Sequence, residues 1–108
     1  MIIIVAAMLA AADPGADATH NFLVCLRQAK TDASSQKVAP DGFVAFARVR
    51  CAGVEAPYRT SIINADVQHG MSRTEAASDA ASLVKSYYDE RLDDYTAVFK
   101  RTGPQQQH

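Results

Sequence analysis

Four carboxylates crowd one stretch of this sequence: Asp89, Glu90, Asp93 and Asp94. Paired carboxylates can divide the work of general acid and general base, as glycoside hydrolysis requires. That chemistry needs one carboxyl kept protonated by an apolar pocket. The neighbouring sequence instead offers Lys85 and Arg91, both placed to neutralise the charge. Asp89/Asp93 and Glu90/Asp94 also stand four apart, where like charges on a helix repel. The expectation is a solvated acidic face, and a small hydrolase using these carboxylates ranks third among the functional readings.

His69 follows Asp66 by three residues and precedes Gly70, with Glu75 a little further on. Such residues can hold a metal, but no His-x-x-x-His or His–Cys spacing is present to set the geometry. A histidine at a helix end, interacting with the dipole, is the expected role. His20 and His108 lie towards the two ends of the sequence. No Gly-x-Ser-x-Gly elbow, Cys-x-x-Cys pair or Gly-rich phosphate loop occurs. No catalytic residue, metal or cofactor is therefore expected, and the chain reads as a non-enzyme.

Cys25 and Cys51 are the only cysteines, each thirteen residues from Val38. If a helical hairpin turns at Val38, the two stand level on antiparallel helices, where a disulfide can reach. The redox setting agrees. Residues 2–12, Ile-Ile-Ile-Val-Ala-Ala-Met-Leu-Ala-Ala-Ala, form an apolar run of export-signal length, short of the ~20 residues that span a bilayer. No Lys or Arg precedes the run, so the basic segment that usually opens such signals is missing.

Small residues suit cleavage after Ala12 or after Ala18, and Pro14 with Gly15 is expected to leave the second site extended. On this reading residues 1–18 are a signal peptide and the mature chain is periplasmic or secreted. Removing Asp13 and Asp17 moves the formal charge from −1 to +1. Near neutrality excludes an electrostatic footprint for nucleic acid, and nothing holds the mature chain to a membrane.

Three helices must position these residues, giving an all-α fold over residues 19–102. The first is expected from Thr19 or His20 to Gln36, burying Phe22, Cys25, Leu26, Ala29 and Ala33. A turn at Val38-Ala39-Pro40 leads to a second helix, capped by Asp41 and carrying Phe43, Ala47, Cys51, Val54, Tyr58, Ile62 and Ala65 on one stripe. Pro57 interrupts it and predicts a kink or break near residues 53–57, and Gly70 ends it. Ser72-Arg73-Thr74-Glu75 is a capping box that opens the third helix. Its stripe is Ala77, Ala81, Val84, Tyr88, Leu92, Tyr95 and Phe99. Thr102-Gly103-Pro104 stops it, and residues 103–108 are expected to be a disordered polar tail. The fold is thus a hairpin pinned by Cys25–Cys51, with a third long helix completing a small bundle.

The third stripe grades from alanines to aromatics, so this helix should pack tightly at its start and stand off at its end. Phe22 with Tyr58 or Ile62 could fill the wide end. Otherwise Tyr87, Tyr88, Tyr95 and Phe99 form an aromatic face open to a partner, although such a stripe is more often core. The leading functional reading is a non-catalytic interaction module of the cell envelope, its partner an unknown envelope protein, the chain itself a monomer or weak homodimer. The second is a periplasmic chaperone. In outline the chain is similar to small acid-stress chaperones, through size, export and cysteine count alone.

Overall fold

The computed structural model describes residues 14–102, and three helices account for nearly all of them: α1 (Pro14–Ser35), α2 (Pro40–Gln68) and α3 (Arg73–Thr102). No strand occurs among the described residues. The apolar run 2–12, the expected cleavage position after Ala12 and the tail 103–108 lie outside them. The helices run up, down and up. α1 and α3 each pack along α2 and meet one another over a short stretch.

α1 opens five residues earlier than the apolar periodicity suggests. Pro14 does not break the helix but begins it, because the N–H it lacks is one that the first turn leaves unpaired anyway. Residues 16–18 are consequently helical, not extended. Just past the end of α1, Lys37 with a φ of 58° reverses the chain. Lys37 N–H donates to the Ser34 carbonyl at 3.1 Å and Val38 N–H to the Ala33 carbonyl at 3.0 Å, the double bond of a Schellman stop.

α2 starts on Pro40 behind an extended Ala39 that makes no side-chain cap. Asp41 is therefore not the cap. It lies inside the first turn, where its charge suits the helix dipole. The helix continues unbroken through Pro57. It closes with a second Schellman stop at Gly70, φ 100°, where Met71 N–H donates to the Asp66 carbonyl at 3.0 Å. The capping box of α3 forms as its sequence prescribes: Glu75 N–H donates to Ser72 Oγ at 3.1 Å, and Ser72 N–H to Glu75 Oε1 at 3.2 Å.

The disulfide Cys25–Cys51 joins α1 to α2 with Cα atoms 5.8 Å apart. Around it Phe22, Leu26, Ala29, Ala33, Phe43 and Ala47 form the hairpin's buried seam. From α3 come Ala76, Ala80, Val84, Tyr88 and Tyr95. Ala77 and Ala81, assigned to the stripe by periodicity, face solvent. Adjacent alanine pairs are identical in type, so the rotation of α3 against α2 decides which member is buried, and it selects Ala76 and Ala80.

Candidate functional site

The aromatic residues of α3 are largely core. Phe22 stacks on Tyr58 at 4.9 Å between ring centroids and takes Tyr87 and Tyr88 edge-on at 5.9 and 5.8 Å. Phe43 stacks on Tyr95 at 4.7 Å, with Phe99 beside it at 6.1 Å. The wide end is thus filled by Phe22 with Tyr58 and by Phe43. Tyr88 and Tyr95 are buried and cannot form a face open to a partner in this fold, while Tyr87 and Phe99 stay half-buried at its edge. Buried hydroxyls need partners. Tyr88 donates to Glu55 Oε1 at 2.9 Å and Tyr95 to the Val38 carbonyl at 2.5 Å. What remains open near the wide end is a shallow depression of about 400 Å³ between the last turns of α1 and α3, lined by Lys30, Thr31, Ser34, Ser35, Tyr95 and Val98.

The acidic patch is a solvated face. Asp89, Glu90, Asp93 and Asp94 are all exposed. Lys85 pairs with Asp89 at 2.7 Å, and Arg91 lies 3.9 Å from Glu90 and 3.8 Å from Asp94. His69 closes α2 with Nδ1 2.7 Å from the Ala65 carbonyl oxygen. Among the described residues no three His, Cys, Asp or Glu side chains are grouped to hold a metal, and no helix is long and apolar enough to cross a membrane.

Two interhelical polar groupings escape a residue-by-residue reading, because each joins positions far apart in the chain. Glu55 lies between Arg59 at 2.8 Å and Arg48 at 3.8 Å and also accepts from Tyr88, while the Arg48 guanidinium stacks 4.5 Å over the Tyr88 ring. Burial, then the Glu55 hydrogen bond, pushes the Tyr88 phenol well above its ordinary value. The second is at the C-terminal end of α2, where Asp66, with Oδ2 closed off and unpartnered among the described residues, is pushed above the ordinary aspartate range by Asp79 of α3 and by burial.

The surface of α2 that neither neighbour covers is different in character. Ala45, Val49, Ala52 and Ala56 follow one another in steps of four, three and four, and all are exposed. Thr60, Ile63 and Val67 extend the line, the last two half-buried. No charge interrupts it, and Val49 is 80% exposed. This second stripe is present in the sequence at helical spacing but is outweighed there by the aromatic one. A helix apolar on two sides is normally covered on two sides, yet α1 and α3 cover only one.

Gly53 and Pro57 border this face. A side chain at Gly53 would meet nothing within 4 Å, and Pro57 is exposed. Gly and Pro both weaken a helix interior, and no packing within the chain offsets either. Local rules broken without a structural return concentrate at functional surfaces.

The sequence matches no protein-family model, and comparison with curated proteins and with solved structures finds no match.

Proposed function

We propose that this chain is a non-catalytic interaction module of the cell envelope that docks a partner protein's helix along the outer face of α2. The observation that carries this reading is the uncharged, exposed line Ala45-Val49-Ala52-Ala56, with Val49 80% open to solvent. Small side chains at steps of three and four let a second helix approach closely, and an uncovered apolar face is a common mark of association. Two arginines border the face, Arg48 and Arg59, with Glu55 between them. The surplus positive charge suits a partner helix with acidic flanks.

Export is part of the proposal. A disulfide-bonded small domain belongs in an oxidising compartment, and residues 2–12 have the length and composition of a signal's apolar segment. Of the two cleavage sites, the one after Ala12 leaves α1 whole, whereas the one after Ala18 would cut inside its helix.

Site-specific photo-crosslinking tests the docking surface. A photoreactive side chain replaces Val49 in the full chain, expressed in its own cell envelope, with Ser82 on the outer side of α3 as the control position. A discrete product from position 49, absent from position 82, abolished by Ala52→Glu and joined to a helix of one partner, is the expected result. A ladder of many products would transfer the function to the chaperone reading. A crosslink to a second copy, or none at all, would end the proposal of a partner helix on α2.

A further inference from the structure

The two sulfurs of the Cys25–Cys51 bridge stand in different surroundings. Cys51 lies in the middle of α2's buried line, four residues from Ala47 and seven from Tyr58, and is 0% exposed. Cys25 lies at the edge of α1's line, one residue off Leu26, and is only half-buried. On the side of Cys25 away from the core, Asn21, Val24 and Gln28 are all exposed. Arg50 of α2 is exposed as well, and its carbonyl oxygen lies 3.7 Å from Cys25 Sγ. One sulfur thus belongs to a residue that borders solvent, the other to one that the core encloses.

We propose that Cys25 is a thiol-exchange site, at which a low-molecular-weight thiol opens the bridge from the α1 side. A disulfide yields to a thiolate that attacks one of its two sulfurs, and access decides which. The entering thiolate RS⁻ bonds to Cys25 Sγ. The Cys25–Cys51 bond breaks, and its electron pair leaves on Cys51 Sγ, which takes up a proton. The products are a mixed disulfide at Cys25 and a free thiol at Cys51. A second RS⁻ attacking the outer sulfur of the mixed disulfide releases Cys25 as a thiol and carries the oxidation away as RSSR.

The fold suits these products. A neutral thiol packs as a small apolar group, so Cys51 keeps its place in the core after the bond has gone. Cys25, once freed, has the Arg50 carbonyl as an acceptor for its S–H. A thiolate is costly among apolar side chains, so Cys51 leaves slowly, and exchange is slower than at an open bridge. Attack on Cys51 itself would require α1 and α2 to part first. Exchange is thereby confined to one sulfur while the helices stay packed. The site is independent of any partner on α2.

Trapping the first product tests the site on the wild-type protein. The folded chain is incubated with reduced glutathione, quenched in acid at successive times, alkylated in denaturant and mapped by peptide mass spectrometry. Circular dichroism before each quench reports the helices. Early samples are expected to carry glutathione on Cys25 and the alkyl group on Cys51, with the helical signal retained. Glutathione on Cys51, or divided evenly between the two, overturns the site. So does an adduct that never forms, or forms only in denaturant that melts the helices. Single-cysteine variants give a second measurement. The remaining thiol of Cys51→Ser should react with a disulfide reagent in the native state, and that of Cys25→Ser only after unfolding; equal reactivity in two helical variants would also overturn it. If the variants fail to fold, the wild-type map decides alone.

Discussion

The phenols of α2 and α3 show how burial governs single residues in this protein. Tyr58 is pushed up to about 12, by burial first and then by the neighbouring Tyr87. Tyr88 and Tyr95 are also raised, burial being the leading cause in each. A phenol that ionises at higher pH in the folded state than in the unfolded one adds stability in full below its ordinary value of about 10, and loses it as pH rises through the folded value. Alkaline titration should therefore be cooperative. Tyrosinate absorbance is expected to rise together with loss of the helical circular dichroism signal between pH 10 and 12, not as an earlier, independent step. A smooth rise centred on the ordinary value, with the helices intact, would show that these hydroxyls are accessible.

The helices end and begin by local rules, with one exception and one interruption. Gly70 takes a left-handed conformation that suits glycine, while Lys37 adopts the same region with a full side chain. That second stop is set by the packing of Val38 and Ala33 into the hairpin seam, and lysine gives no sign of it. The interruption is Pro57. A proline in mid-helix removes a donor and crowds the carbonyl four residues earlier, here that of Gly53, at a cost of about 3 kcal/mol. Proline also restrains the unfolded chain, which offsets roughly 0.4–1 kcal/mol of that. Pro57→Ala is accordingly expected to raise stability by about 2 kcal/mol in chemical denaturation. An unchanged or lower stability would mean that the ring contributes packing not apparent from its exposure.

At the scale of the whole molecule, three helices of this length enclose a thin core, and the covalent link becomes a large part of what holds them. Cys25–Cys51 closes 26 residues, worth about 3–4 kcal/mol by the chain-entropy account. In a domain of this size each kcal/mol moves the thermal midpoint by roughly 4–8 °C. Cys25→Ser should thus lower that midpoint by tens of degrees on the order-of-magnitude scale, and reduction of the wild type should do the same. Equal midpoints before and after reduction would show that the bridge bears no part of the fold's stability.

Much of the architecture is written in signals that act within a turn or repeat along a face. The Ser72–Glu75 box, the stop at Gly70, the apolar seam of Phe22, Leu26, Ala29 and Ala33, and the thirteen-residue symmetry of the cysteines about Val38 each need only the residues themselves. These determined three helices, their order and their bridge. Other features required the helices to meet. Which alanine of each pair on α3 is buried, that Glu55 lies among Arg48, Arg59 and Tyr88, and that the second apolar stripe of α2 is left uncovered all depend on rotation and crossing. Those are set jointly by side-chain volumes on all three helices, above all by Phe22, Tyr58, Phe43 and Tyr95. A one-residue turn of a helix about its axis leaves every local signal intact and changes every contact across the interface, which is why only the tertiary structure decided them.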